Sequence, residues 1–455
     1  MINFKEIAWK KQFSLNGNTL YYLDRLQQWQ WLSSDKILQL QQEKLRGLLL
    51  HAFKHVPYYR SILREVDVVS ANGTVQLNNF SQIPLLGREA LQTNYEALKS
   101  DDIAIRNWYE NWSGGSTGEP VRLLQERNYF DWNQAVKILF YQWCGRELVD
   151  KQVVLWASER DLMVGRETWK TRMGRWIRNE RWFNTRLMSE KSMRTYLEEL
   201  QQFRPSQILG YVESIYELAR FAQRSSLPVY SPKSIMTTAS VLHPHMRQTI
   251  EEVFQSPVFN RYGSREIGAI ASECDHHGGL HVSALTHYVE IISPTGLPVQ
   301  PGERGELVIT TLNNYAMPMI RYRIGDMAQW SDRMCTCGRT WPLLKEISGR
   351  VNDSFVKQNG DLVDGRLFVI LLATNPFVKK YQVVQNEVDQ IHISIIPHQP
   401  GMNPHATYQE QVTTIIDKTK FLMGDSVDVH IHFVEEIPTT ASGKFRFTIC
   451  NVKRS

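Results

Sequence analysis

Cysteine is scarce: five in 455 residues are too few for a disulfide scaffold, and the odd count leaves at least one thiol unpaired. Long apolar runs are missing too. The densest, LFVILLA at 367–373, is far shorter than the roughly 20 residues that span a bilayer, and the N-terminal MINFKEIAWKKQFS lacks the apolar stretch of a secretory signal. A cytoplasmic protein with no transmembrane segment is expected. Charge of one sign is not in excess either. A net charge of +5 over this length permits an anionic ligand without calling for nucleic acid. No internal repeat or low-complexity segment occurs, which argues against a solenoid.

What is present is a globular composition, 42% hydrophobic, sufficient for two or three domains. The first hundred residues read as mostly helical. LQQEKLRGLLLHAFKHV places Leu40, Leu45, Leu48, Leu49 and Phe53 near helical spacing, and Pro57 ends the pattern. From about residue 150, the apolar runs QVVLWAS, QILGYV and SIMTTAS alternate with helical stretches such as SIYELARFAQ and PHMRQTIEEVF, which predicts an α/β core with much of its sheet parallel. HYVEIIS, GELVITTL and DMAQWS read as strands joined by Gly/Pro-rich turns. After ISGRVND a smaller α+β pattern follows. This gives a large N-terminal domain, 1–349, with mixed and parallel sheet, and a small C-terminal domain, 350–455. Within GRETWKTRMGRWIRNERWFNTR at 165–186, Arg and Lys interleave with Trp169, Trp176 and Trp182. An acidic-ligand channel, a membrane surface or a carrier could meet such a segment, but a solvated, partly packed helix face is the first expectation.

Five short motifs carry chemistry. SGGSTG, Ser113–Gly114–Gly115–Ser116–Thr117–Gly118, can turn backbone N–H groups and hydroxyls toward phosphate oxygens. Taken alone it reads more readily as a Gly/Ser linker, and no Walker-type Gly-Lys-Ser/Thr follows. NRYGSREIG offers Tyr262 as a stacking face and Glu266 as a carboxylate for Mg²⁺. IRYRIGDMAQW offers Asp326 to ribose hydroxyls. ISGRVND puts Arg350 beside the inferred boundary, and TTASGKFRF puts Lys444 on a glycine-containing turn. Separately, CDHHGGLH and CTC supply Cys274, Cys335, Cys337 and a histidine for a closed Cys₃His zinc site of the structural type. His281 is the preferred fourth ligand because GGL lets the chain double back; His276 ranks second and His277 third.

In their fixed order these motifs resemble the adenylate-forming superfamily, and within it the phenylacetate-CoA ligase family, especially the branch associated with capsular polysaccharide synthesis. HAFKHVPYYR, GELVITTLNNYAMPMIRYRIGD, CTCGR and ASGKFRF carry that narrower likeness, which runs from about residue 45 to 447. The resemblance implies that the Ser113–Gly118 loop grips the β- and γ-phosphates of ATP, that Tyr262 and Gly263 flank the adenine with Ala239 and Ser240 at its edge, and that Ser264 belongs to the same ATP-binding set. It further implies that Glu266 holds Mg²⁺, that Asp326 and Arg350 hold the ribose, and that Lys444 reaches the substrate carboxylate and α-phosphate from a mobile C-terminal lid hinged at Asp353. Arg265 stands where the superfamily commonly has Thr, so a guanidinium would take over the α-phosphate contact. Val121 replaces a lysine often found after the loop.

The implied reaction joins a small carboxylic acid to AMP and then to a thiol, on coenzyme A or a carrier protein, with ATP, Mg²⁺ and a structural Zn²⁺ as cofactors. A homodimer is compatible with it. Two other readings stay open at this point: transfer to a hydroxyl or amine, and a zinc-containing module binding nucleic acid or polysaccharide.

Overall fold

The computed structural model describes residues 7, 9, 17–113, 121–156, 169–185, 188–350, 354–373, 375, 377–398, 408–438 and 445–452. Two compact units emerge: Met1–Ile324 with Ala328–Ile347, and Gly325–Met327 with Ser348–Ser455.

The first unit begins with helices whose ends are written in the sequence. In Ser34–His55 the Ser33 side chain accepts the Lys36 N–H, Asp35 lies in the first turn, and Lys54 and His55 lie in the last. The helix buries Ile37, Leu45, Leu48, Leu49 and Ala52 along one stripe. Extended Val56 ends it, and Pro57 starts the next helix, Pro57–Glu65, at the position where a missing N–H costs nothing.

A two-stranded hairpin follows, β1 (Trp108–Trp112) against β2 (Arg122–Glu126). Then comes the main sheet: β3 (Gln152–Trp156), β4 (Glu180–Asn184), β5 (Gln207–Tyr211), β6 (Ser234–Thr238), β7 (Val258–Ser264), β8 (Gly268–Ser272), β9 (Leu280–Val282), β10 (His287–Ile292), β11 (Arg304–Thr311), β12 (Tyr322–Trp330) and β13 (Leu343–Arg350). Among the described residues its order is β10-β11-β12-β13-β9-β8-β7-β6-β5-β3-β4. The β4-β3-β5-β6-β7 half is parallel, with helices such as Val212–Ser225 and Pro244–Phe254 as crossovers. Its strands are buried on both faces, which is why they read as continuous apolar runs. From β7 onward neighbours run antiparallel, as at β7–β8, β8–β9 and β10–β11, because short turns replace the crossovers. DMAQWS proves to be only the end of a longer strand, β12.

In the second unit β14 (Ser354–Val356) pairs with β15 (Leu362–Asp364), and LFVILLA lies in the helix Arg366–Ala373. A four-stranded sheet is ordered β18-β17-β16-β19, where β16 is Val378–Glu387, β17 Gln390–Pro397, β18 Asp428–Phe433 and β19 Thr448–Cys450. Val383, Ile391, Ile393 and Ile395 point to a core shared with Phe368, Leu372 and Ile415 of the helices Arg366–Ala373 and Gln409–Met423. Alternation then turns Gln382, His392 and Ser394 to the opposite face.

Candidate functional site

The carboxyl ends of the parallel strands form one edge of the main sheet, the place where open α/β sheets bind ligands. Ala239 and Ser240 leave β6 there, and Tyr262, Gly263 and Ser264 continue β7 beyond its pairing with β6, which ends at Asn260. Arg265 and Glu266 form the turn into β8. Ala239 sits at φ 79°, a left-handed conformation that disfavours a side chain and that clusters at ligand sites.

The turn bearing Glu266 is fastened from several sides. A register shift falls between Tyr262 and Gly263, which re-aims the strand end. The helix Arg127–Trp143 presents Tyr129 and Asn133 on one face, four residues apart. The Tyr129 hydroxyl donates to the Ile267 carbonyl, and Asn133 Oδ1 accepts the Ala269 N–H at 3.1 Å. Gly268 between them has φ +88°, and a Cβ there would stand 2.1 Å from Asn133 Oδ1, so no other residue fits.

The stem of the glycine loop reaches the same turn. Asn111, near the end of β1, donates to the Arg265 carbonyl at 3.0 Å, and Gln125 of β2 donates to the Glu266 carbonyl at 2.9 Å. The Tyr109 hydroxyl and Asn111 amide both donate to Gln125 Oε1, holding the pair in register. At the mouth of the loop, Ser113 N–H donates to the Val121 carbonyl and Ser113 Oγ accepts the Val121 N–H at 2.8 Å. The Ser113–Val121 clasp therefore lies on a hairpin bonded to the Glu266 turn. Gly114, Gly115, Ser116, Thr117 and Gly118 lie outside the described residues, as do Asp353 and Lys444. Asp326 lies in β12, within the stretch Gly325–Met327 that belongs to the second unit, and Arg350 is the last residue of β13.

Behind the turn His287 is completely buried. Its Nε2–H donates to the Ile267 carbonyl at 3.2 Å, and its Nδ1 faces the Thr286 hydroxyl at 2.9 Å. Burial pushes its pKa down from 6.5 to about 4. The unfolded chain thus takes up a proton that the folded chain refuses. His287 should leave stability intact above about pH 6.5 and cost up to about 3 kcal/mol as pH falls to 4. Denaturant unfolding of the wild type and His287→Gln across that window checks this: the variant should show the smaller loss on acidification.

Two groups of metal-ligating side chains converge among the described residues. In the first, the ligand atoms of Cys274, His281, Cys335 and Cys337 all lie within 4.8 Å of one another. Cys274 follows β8, His281 lies on β9 where it pairs with Leu343 of β13, and Cys335 and Cys337 lie in the connection from β12 to β13. The Cys274 and Cys335 sulfurs are 3.6 Å apart, far beyond a disulfide, and Cys337 Sγ is 3.5 Å from His281 Nε2. Ideal tetrahedral zinc demands about 3.8 Å and about 3.6 Å for those two separations. His281 is buried and pushed to about 4, hence a neutral imidazole with a lone pair to give. Burial opposes ionisation of Cys337, yet the Arg339 backbone N–H, 3.4 Å from its sulfur, helps hold the thiol below its ordinary pKa. Gly278 is required by close approach, since a Cβ would lie 2.9 Å from Cys335 Sγ. His276 and His277 turn elsewhere, to Thr336 Oγ1 at 2.9 Å and Glu273 Oε2 at 3.3 Å.

The second group, His51, His55 and Asp102, is a poor cation site. Arg106 binds both Asp102 oxygens at 2.5 Å and faces His51 Nδ1 at 3.5 Å, so a guanidinium already supplies the positive charge.

Sequence reasoning missed Asn111, Gln125, Tyr129, Asn133 and His287. The aromatic residues of WYENW and the paired leucines of RLLQE, on either side of the glycine loop, were the available signal for the hairpin that carries the first two. In the Arg/Trp segment, residues 165–168 and 186 lie outside the described residues. The rest forms the helix Trp169–Ile177 and β4, with Trp169 and Trp176 exposed and Arg175 stacked over Trp182.

Comparison with known proteins agrees with this geometry. Residues 355–451 match the family described as the CapK C-terminal domain. Protein CapK of Staphylococcus aureus is 23% identical over 429 residues, covering 92% of this chain and 90% of that protein. Phenylacetate-coenzyme A ligase of Thermus thermophilus is 25% identical over 397 residues, 81% of this chain and 83% of that one. A solved 2-hydroxyisobutyryl-CoA ligase, in the postadenylation state with R3-HIB-AMP, superposes with TM-score 0.68 at 18% identity over 90% of this chain and 88% of its own, which establishes a shared fold. Over most of its length the chain is thus similar to CapK and to the phenylacetate-coenzyme A ligases, and it shares the fold of the solved 2-hydroxyisobutyryl-CoA ligase.

Proposed function

We propose that the chain uses ATP to activate a carboxylic acid and then passes the acyl group to the thiol of coenzyme A. A carboxylate oxygen bonds to the α-phosphorus as the bond to pyrophosphate breaks. The thiol sulfur then bonds to the acyl carbon as AMP leaves, the thiol proton passing to solvent. The observation that carries this reading is the pair of hydrogen bonds donated by the Asn111 and Gln125 side-chain amides, which join the stem of the glycine loop to the turn bearing Glu266. A triphosphate needs both at once, donors around its oxygens and a carboxylate for its metal.

In this reading Ser113–Gly118 hold the β- and γ-phosphates. Tyr262, Gly263, Ser264, Ala239 and Ser240 enclose the adenine, Asp326 and Arg350 hold the ribose, and Arg265 faces the α-phosphate. Glu266 would hold Mg²⁺, which when bound cancels charge between the two reacting anions. Cys274, His281, Cys335 and Cys337 would hold Zn²⁺ away from the chemistry, as a closed set with no position for substrate. Lys444 joins only while the carboxylate attacks. Among the described residues no helix is long and apolar enough to cross a membrane, and dependence on ATP and coenzyme A favours the cytoplasm.

ATP–pyrophosphate exchange driven by an added acid tests the first step, over a panel of aromatic, fatty, amino and sugar acids. Thiol-dependent loss of the adenylate tests the second. Exchange with none of the acids would refute the reading, whereas exchange without thiol transfer would redirect it to a hydroxyl or amine acceptor.

Asn111 gives a narrower test. Asn111→Ala leaves the Arg265 carbonyl short of a donor, which costs about 1–2 kcal/mol of positioning. The KM for ATP should rise about tenfold, with kcat changed far less and the thermal midpoint nearly unmoved. A fall in kcat alone would show that the hairpin does not position the nucleotide.

A further inference from the structure

Three histidines of the second unit meet on the face of its sheet that the helices do not cover. β17 and β18 run parallel with His392 opposite His430, and His432 lies two residues further along on the same face. His392 Nδ1 and His432 Nε2 are 3.2 Å apart. The three rings lie nearly parallel, with centroids 4.8 Å apart for His392–His430, 5.5 Å for His392–His432 and 6.4 Å for His430–His432. His430 and His432 are exposed and His392 is half-buried.

Beyond the His392–His432 hydrogen bond and the ring contacts, burial does little to hold this arrangement together. β18 is an edge strand whose sheet neighbour is β17, and three imidazoles on an open face bury little and repel one another once protonated. His392 is accordingly pushed below its ordinary pKa, first by burial and then by His430 and His432, against the opposing pull of Glu387. Neutral imidazoles, in contrast, are good ligands for metals of intermediate softness. The His392–His432 contact is a hydrogen bond in which the two nitrogens face each other head-on, with the ring centroids 5.5 Å apart, so one nitrogen carries the shared proton; a cation with metal–nitrogen bonds of about 2.1 Å would displace that proton as both rings turn toward it.

We propose that His392, His430 and His432 form a binding site for a divalent cation of the Zn²⁺, Ni²⁺ and Cu²⁺ class on the open face of the β17–β18 pair. His392 and His432 give up their shared proton and turn toward the cation, and His430 joins by a side-chain rotation. The bound cation fastens edge strand β18 to the sheet, upstream in sequence of Lys444. The site shares no residue with the cysteine cluster and does not depend on the reaction proposed above.

The test uses the full chain without a histidine tag, cleared of loosely held metal and titrated with Ni²⁺ by calorimetry, with Cu²⁺ electron paramagnetic resonance as the second readout. The wild type should show one site with imidazole nitrogen couplings. His392→Gln/His432→Gln should weaken it at least tenfold and remove the couplings, and His430→Gln should weaken it at least threefold. His430 and His432 are exposed and His392 half-buried on the face away from the core, so glutamine fits at each, and unchanged circular dichroism would document the fold. Hydrogen exchange of β18 amides should slow with Ni²⁺ in the wild type and not in the double variant. Absence of a site at millimolar Ni²⁺ would overturn the proposal. So would equal affinity in the double variant, or thiolate-to-metal absorption placing the ion in the cysteine cluster. If the double variant fails to fold, His430→Gln and the wild-type nitrogen couplings decide alone.

Discussion

Lys444→Ala should lower acid-dependent ATP–pyrophosphate exchange by about 100- to 1000-fold, the largest kinetic effect expected of any single substitution in this chain. The reason is charge. Bringing a carboxylate against a phosphate accumulates negative charge on the bridging and departing oxygens, and one ammonium placed there contributes about 3–4 kcal/mol to the transition state. The sequence around it, TTASGKFRF, places the lysine between a glycine and two aromatics, within the smaller of the two units. The second half-reaction makes a separate demand. If the lysine's segment leaves before the thiol arrives, Lys444→Ala given pre-made acyl-adenylate should transfer the acyl group at close to the wild-type rate. Equal losses in both half-reactions would mean that one arrangement performs both steps. Undiminished exchange would remove the lysine from the chemistry and weaken the proposed function with it.

The parts of this molecule that could be read in advance are those in which one-dimensional pattern and three-dimensional environment coincide. QVVLWAS, QILGYV and SIMTTAS announce β3, β5 and β6 because a parallel strand covered on both faces needs apolar residues without alternation. The β1–β2 hairpin escaped notice for the opposite reason. Its strands are five residues long, β1 exposes Trp108, Tyr109 and Trp112, and the glycines between them look like a linker until their stem is seen bonded to Arg265 and Glu266. Tyr129, Asn133 and His287 serve the site through backbone carbonyls and N–H groups, and such partnerships leave no mark on side-chain spacing. His392, His430 and His432 are likewise silent in the sequence, since only the parallel register of β17 and β18 brings them together. The cysteine cluster was legible because its ligands fall in two short loops, and because Gly278 and Gly279 leave His281 free to return on β9.

That cluster carries the largest expected effect on stability. Cys335→Ser should release zinc and lower the thermal midpoint by roughly 5 °C, while the folded fraction keeps most of its adenylation rate. In small zinc peptides the bound metal contributes about 10–16 kcal/mol of folding free energy. Loss of about a third of the smaller figure, roughly 3.3 kcal/mol, set against an unfolding entropy of about 2.1 cal/mol/K per residue, accounts for that shift in a unit of roughly 340 residues. The effect should be one of coordination and not of volume. Serine is no larger than cysteine, and the space beside Cys335 is already kept open by Gly278. What a bound metal would secure follows from where the four side chains sit. It would join the loop after β8 to the β12–β13 connection, where Arg339 lies over the rings of Trp31 and Trp143 and donates to Gln30, bringing in the residues just after the helix Thr19–Trp29. Elemental analysis should find one zinc per wild-type chain. Strong chelation should bring the wild-type midpoint down to that of the variant, because both then lack the same cross-link. A wild-type protein free of metal, with Cys274, Cys335 and Cys337 open to thiol reagents, would show instead that the four side chains meet as a packed, metal-free cluster. The chelator would then leave the midpoint unmoved.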